Sequence, residues 1–452
     1  MIPRMRRWAF SFWARGLLSA VVLLAGTMET LQAASLEECV TAALKNNPDI
    51  QAGVERINAA RFAIEQAKSA YYPRLYLAGS YAYTDNPPQA FMMTLNQRDL
   101  DMMSPTFDPN EPDPTDNMRL SVGLKYRLYN GGVNVIGIEM AEIGREVHEL
   151  QLSAVRNELI HQVTKGYYGV LQAQAFVKVQ AESVVSLEEN LRVARERFKA
   201  GSAVKTDVLN LEVKLAQARE DLIRSNNGVQ LAIASLNTAI GSDMVPPEGL
   251  PALAHGEISE MPGQLDYEDI MNRPELSVVR KMSVVKERDY KKSRHENYPT
   301  LDAYGSYDVD TGDLDTFEGS YMLGLMAEWE FFSGFQGSNK TESTKAEWQA
   351  AKYDEKKVYN NLRLDLYQAH LKANEAWQRL QVTRKSVESA EESFRITSER
   401  YKGGVADITV LLTAQVGLTT QKTRDVAAYY DYLSALSNLE RARGNAIVKY
   451  AP

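Results

Sequence analysis

The sequence predicts a mixed membrane protein: four transmembrane β-strands per chain, contributing to a barrel shared between subunits, and long antiparallel coiled-coil helices, laid out as an internal duplication. Three observations predict it. Motifs recur at a fixed offset along the chain. Four segments alternate apolar and polar residues over a membrane-spanning length, and two proline-free runs of about 65 residues keep a helical period.

The duplication fixes the organisation. Arg197-Phe198-Lys199-Ala200-Gly201 recurs as Arg400-Tyr401-Lys402-Gly403-Gly404, and Leu128-Tyr129-Asn130-Gly131 recurs as Phe331-Phe332-Ser333-Gly334. Gly241 has its counterpart in Gly444, and all three matches share an offset of 203. Upstream the offset is 226, pairing Tyr72-Pro73 with Tyr298-Pro299 and Asn46-Asn47-Pro48 with Asn272-Arg273-Pro274. The first copy therefore holds 23 extra residues, within Asp85 to Asn117. The expected organisation is an export signal over 1–34, a first copy over 35–241 with its hairpin at about 74–129, a connector over 242–264, and a second copy over 265–452 with its hairpin at about 300–332.

Each copy reads as helix, strand, strand, very long helix, turn, helix. In the first long run Val135, Ile138, Ile143, Val147, Leu150, Val155, Leu159 and Val163 recur at helical spacing. Flanking helices are expected at about 37–70 and 206–240; two of that size end to end match one long helix, as in an antiparallel coiled-coil layer. At the turns, Gly201 and Gly404 suit a left-handed helix stop. Ser202 or Thr206, and Asp407 in the second copy, are candidate caps for the next helix.

The strands carry the compartment. Leu75, Leu77, Tyr81 and Tyr83 face one way in the first; Leu120, Val122, Leu124, Tyr126 and Leu128 do so in the second. Leu301, Ala303, Tyr307 and Val309 form the third apolar stripe, and Tyr321, Leu323, Leu325, Ala327 and Trp329 the fourth. The opposite parity holds Lys125, Arg127, Asp302, Asp308 and Glu328, which are expected to face a watery lumen while the apolar stripes face lipid. Aromatics gather where strands meet helices: Tyr72, Tyr126, Tyr129, Tyr298, Trp329, Phe331 and Phe332 are the expected interfacial girdle. A soluble sheet with one buried face would show the same alternation. In lipid, four strands cannot close a barrel and open edges are not tolerated, so subunits must share one. Two would supply eight strands and three would supply twelve.

Composition narrows the function classes. The 452 residues are 44% hydrophobic and 24% charged, ordinary for a folded chain, and the net charge of −8 with no basic run gives no support to nucleic-acid binding. Arg4, Arg6, Arg7 and Arg15 followed by the apolar Gly16–Gly26 read as the export signal. Cys39 is the single cysteine, so no intrachain disulfide exists; with Leu36-Glu37-Glu38 before it, it reads as a packed helix residue rather than a lipid anchor. His148, His161, His255, His295 and His370 form no metal-ligand spacing, and no phosphate loop or activated nucleophile is visible. Neither enzyme, cofactor nor metal is expected. The extra 23 residues are rich in Pro and Asp and carry Met92, Met93, Met102 and Met103. They read as an extracellular loop, its methionines serving adaptable packing or, less simply, soft-metal binding.

Taken in order and in duplicate, Asn46-Asn47-Pro48, the Tyr-Pro before each first strand, the aromatic-(Asn/Ser)-Gly before each long helix, and the paired turns resemble the outer-membrane efflux protein family typified by TolC. The resemblance spans nearly the whole chain after the signal. It implies a homotrimer in the lipid of a Gram-negative outer membrane, with a 12-stranded barrel and an α-barrel tunnel through the periplasm. It also implies a passive exit duct of a tripartite efflux or type I secretion system, fed by an inner-membrane pump through a periplasmic adaptor (membrane fusion) protein. The turn residues Ala200, Gly201, Ser202, Gly403, Gly404 and Val405 would then meet the adaptor. Asp207 matches an acidic residue lining the closed periplasmic aperture of the family, whereas Val410 and Thr413 stand where the second copy would carry acid. The competing expectation is a soluble periplasmic coiled-coil adaptor or scaffold; a porin would need many more strands per chain.

Overall fold

A computed structural model describes residues 35–104, 108–246, 248–251 and 261–445. The expected export signal, His255 and part of the connector lie outside the described residues.

Helices come first. Helix α1 (Leu36–Asn46) and helix α2 (Pro48–Lys68) replace the single helix expected over 37–70. The break follows from Pro48, which has no amide hydrogen and disfavours helical backbone at the residue before it. Asn47 is accordingly extended (φ −64°, ψ 130°), and its side-chain oxygen accepts the Asp49 amide at 2.8 Å, capping α2. Next come β1 (Arg74–Thr84), the short helix α3 (Pro87–Asn96), β2 (Thr115–Tyr129), α4 (Val133–Lys199) and α5 (Lys205–Ile240). The second copy supplies α6 (Pro274–His295), β3 (Thr300–Thr311), β4 (Glu318–Glu328), α7 (Gln336–Lys402) and α8 (Ile408–Arg443). Helices α4 and α7 have 67 residues each, and α5 and α8 have 36 each. Both ends of α7 and α8 lie 203 positions after those of α4 and α5. At 1.5 Å per residue a 67-residue helix is about 100 Å long. Helix α3 was not expected.

The chain forms two compact units, each drawing segments from both copies. One falls within Met1–Ala43, Val163–Glu260 and Leu380–Tyr430. Its core sets Val184, Leu187, Leu191 and Ala194 of α4 against Leu211, Leu215 and Ala218 of α5, closed by Tyr401, Ile408 and Leu411. The alternating steps of three and four residues are those of a coiled-coil seam. Cys39 is fully buried in the same unit. Burial, then the neighbouring Glu38 charge, push its thiol up to about 11.

The other unit falls within Leu44–Gln162, Met261–Arg379 and Asp431–Pro452. Leu362, Leu366, Ala369 and Ala373 of α7 pack on Leu439 and Ala442 of α8, with Ile270 and Leu276. Arg273 stands where the first copy has Asn47, and it works differently. Only 3% exposed, its guanidinium donates to both Glu275 oxygens at 2.8 and 2.9 Å, to Asp365 at 3.2 Å and to the Ala442 carbonyl at 2.9 Å. The last of these satisfies a carbonyl at the end of α8 that the helix itself leaves open. Burial raises the Glu275 carboxyl, but the Arg273 bonds outweigh it and hold it below the ordinary carboxylate range.

This unit also holds the sheet, in the order β1-β2-β3-β4, all antiparallel. Register decides which residues share a face. Leu77 pairs with Val122, Val122 with Tyr307, and Tyr307 with Tyr321, so the four apolar stripes fall on one side, except that a register shift after Arg127 sets Tyr129 rather than the expected Leu128 in line with Leu301. That side is open: Leu75, Leu77, Tyr321, Leu323 and Leu325 are 69–79% exposed. On the other side Tyr76 lies over Gly123 and Tyr304 over Gly324, and a Cβ on either glycine would collide with the ring. No described helix is long and apolar enough to cross a membrane.

Replacing Arg273 with Ala leaves Glu275 without its partner in a half-buried site, while Asp365 keeps its bonds from Arg441 at 3.0 and 3.2 Å, and should lower stability by about 2 kcal/mol. Thermal unfolding of the detergent-solubilised protein checks this. The Glu275 contribution has the sign of a depressed carboxylate: present above the unfolded pKa, lost as pH falls through the folded one, so the difference between wild type and variant should shrink only in acid. Cys39 should react with iodoacetamide at pH 8 at a small fraction of its rate in denaturant; equal rates would contradict its burial.

Candidate functional site

Two surfaces carry the residues singled out by sequence. On the polar side of the sheet, Lys125, Arg127, Asp302, Asp308 and Glu328 share one parity. Arg127 forks onto Asp302 directly across the β2–β3 ladder, at 2.7 and 3.0 Å. Lys125 Nζ sits 5.5 Å from the centre of the Tyr76 ring. Ser121 and Ser306 both donate to the Asp308 carboxylate, Ser306 at 3.0 Å. Glu328 stands opposite Thr300 at the end of the sheet that joins the helices.

The same parity continues farther than the alternation suggested. Strand β2 is 15 residues long, and its first residues place Asn117 and Arg119 on the polar face. Asn117 donates to Asp310 at 2.5 Å and Arg119 pairs with the same oxygen at 2.8 Å, with Asp310 only 1% exposed. These residues escaped the sequence reading because the polar insert runs into β2 without a break in composition. Extending the period of two back from Ser121 would have found them.

The aromatics keep their place at the helix-proximal strand ends. Tyr72, Tyr129, Tyr298, Trp329, Phe331 and Phe332 are exposed by 49–85%, and Tyr126 is half-buried. Strand β4 stops at Glu328, so Trp329, Phe331 and Phe332 follow the strand rather than end it. Trp329 keeps its polar edge satisfied by donating to the Asn297 carbonyl at 3.1 Å. An apolar ring with a bonded N–H suits a membrane–water boundary.

The second surface comprises the turns after α4 and α7. Gly201 (φ +73°) and Gly404 (φ +78°) are left-handed, and the amides that follow, of Ser202 and Val405, reach back to the carbonyls of Arg197 and Arg400 at 2.9 and 2.8 Å. That pattern closes a helix with a Schellman turn. Ala200, Gly201, Ser202, Gly403, Gly404 and Val405 are all exposed. Asp407 accepts the Thr409 amide at 2.7 Å and caps α8, and that bond holds its carboxyl below the ordinary range. The first copy differs from expectation. Val204 occupies the cap of α5 with no side-chain bond, while Ser202 turns back to donate to the Arg197 carbonyl. Asp207, half-buried, lies in the first turn of α5, where a negative charge suits the helix dipole.

One residue that sequence did not single out ties the two turns together. Arg197 donates to the Tyr401 carbonyl at 2.7 Å, lies 5.0 Å from the centre of the Tyr401 ring, and reaches the Ser202 carbonyl at 3.3 Å. Tyr401 is 2% exposed beneath it, and its burial raises the phenol.

With this geometry in view, comparison with known proteins is informative. Over 96% of this chain and 93% of the relative, the sequence is 24% identical to the outer membrane efflux protein BepC of Brucella suis. It is 20% identical to the outer membrane protein TolC of Vibrio cholerae, over 93% of each. The fold matches the CmeC outer membrane channel of Campylobacter jejuni with a TM-score of 0.77 at 15% identity, covering 91% of this chain and 86% of that one. The sequence model of the outer membrane efflux protein family matches residues 39–242 and 267–445, and the chain belongs to that family.

Proposed function

We propose that three copies of this outer-membrane channel subunit assemble into one duct, through which an inner-membrane pump, coupled by a periplasmic adaptor, expels substrate in efflux or type I secretion. The carrying observation is the sheet: four strands with a wide-open apolar face and two edge strands, β1 and β4, without strand neighbours among the described residues. In lipid every ladder group needs a partner, so β4 of one subunit must meet β1 of the next. Three such sheets give twelve strands. A soluble adaptor or scaffold has no use for a sheet bare on its apolar side, which in water invites aggregation.

On this reading Lys125, Arg127, Asp302, Asp308 and Glu328 line the pore, and the aromatics mark the periplasmic membrane boundary. The exposed turn residues Ala200, Gly201, Ser202, Gly403, Gly404 and Val405 form the docking face for the adaptor. Asp207 from three subunits forms an acidic ring at the periplasmic aperture. No chemical step and no cofactor is assigned to the chain.

Light scattering on the protein extracted from the outer-membrane fraction in mild detergent should give three chains per particle; a monomer recovered from the soluble periplasm would overturn the assembly. In planar bilayers, Asp207→Ala should weaken block by divalent cations several-fold, because an acidic ring attracts cations to a constriction. Unchanged block would remove Asp207 from the aperture.

A further inference from the structure

The insert of the first hairpin does not simply project from the strand ends. Asn86 caps α3 through the Gln89 amide at 3.4 Å, and the helix ends at a left-handed residue, Arg98 (φ 56°), whose amide returns to the Leu95 carbonyl at 3.2 Å. At this helix end two consecutive side chains, those of Gln97 and Arg98, reach the sheet. Gln97 Nε2 donates to the Asp116 carbonyl at 2.7 Å and to Asn117 Oδ1 at 2.9 Å, and its amide fills the space beside Gly312. Asn117 passes the network to Asp310. Arg98 reaches across to β4, pairing with Glu318 at 2.9 Å and the Gly319 carbonyl at 3.3 Å. The β3–β4 turn before Glu318 is itself fixed: Asp313 accepts the Asp315 and Thr316 amides at 2.9 Å each, which pulls its carboxyl down to about 2.

Asn117, Asp310 and Glu318 share the parity of Lys125 and Asp308, so the insert docks on the polar face and not on the apolar one. Cover is local. Ala90 of α3, and Asn117 and Asp310 on the polar face, are 5% exposed or less, while Lys125 and Arg127, nearer the helices on the same face, are open. The strand ends that carry the insert are those remote from α2 and α4, hence the extracellular ends of a channel whose helices are periplasmic.

We propose that α3 with Gln97 and Arg98 is a lid folded into the outer mouth of the channel, anchored by Gln97 on β2 and latched by Arg98 on β4. It rests on the reading that the polar face lines a shared pore. The two attachments differ in strength. Gln97 engages a buried network, whereas the Arg98–Glu318 pair is 67% and 31% exposed and so is easily broken. The latch end releases first, and the lid swings on its anchor.

The test is access to the pore from outside intact cells. A Lys125→Cys variant is treated with a bulky membrane-impermeant maleimide; Cys39, buried, stays silent. Combining it with Gln97→Ala and Arg98→Ala should speed labelling about tenfold, the scale of a local opening released from its contacts. Arg98→Glu alone should also speed it, and Arg98→Glu with Glu318→Arg should restore the slow rate, a rescue that misfolding cannot mimic. Equal labelling in all backgrounds would overturn the lid. A Asp315→Cys control on the exposed β3–β4 turn reports orientation separately: failure to label it from outside would overturn the membrane placement beneath the proposal, and the lid with it.

Discussion

Every part of this protein answers to one constraint: a backbone N–H or C=O in hydrocarbon must have a partner. Four strands cannot give one another that partner at both edges. The chain meets the constraint halfway, by pairing the two hairpins of its duplicated halves into a single sheet across β2 and β3. That central ladder is where the polar side chains pair most closely, Arg127 with Asp302 and Arg119 with Asp310. The remaining edges are left for neighbouring subunits, so the fold of one chain is completed only in an assembly.

The duplication sets lengths but not chemistry. Long helices and their successors match in length, 67 and 36 residues in each copy. The contacts that join the copies are one-sided. His295 of the second copy contacts the Gly131 carbonyl of the first at 2.6 Å, at the point where β2 becomes α4. Arg197 of the first copy holds the Tyr401 turn of the second. Within the second copy Arg273 closes the end of α8, whereas its counterpart Asn47 caps the start of α2. Equal scaffolds have thus acquired unequal ties.

Much of this was legible in the sequence because the signals were periodic. A two-residue period over ten positions and a repeat that keeps its offset for more than a hundred residues leave few alternative folds. The face assignment of Lys125, Arg127, Asp302, Asp308 and Glu328 followed from parity alone. What was not legible depended on aperiodic detail. Helix α3 hides in ten residues opening with Pro87-Pro88, too short for a periodic signal to rise above its polar surroundings. The Pro48 break was visible as a residue but not as a helix boundary, since a proline in the first turn is equally compatible with continuation from an upstream helix that has just ended. Arg197 and Arg273 look like ordinary surface arginines until the partner 204 or 169 positions away is known.

The two tyrosine–glycine pairs on the polar face bear on how the sheet finds its alignment. Alternation forbids a strand from slipping by one position, because that would turn its apolar stripe away from lipid. A slip of two preserves the stripe and is the error left unguarded. Here it would set Tyr76 against Ser121 or Lys125, and Tyr304 against Met322 or Met326, each with a Cβ where the ring must lie. The rings therefore act as keys that fit only one notch. A barrel closed from separate chains has no turn to fix the alignment where subunits join, but each chain brings its own strands to that seam already locked in register.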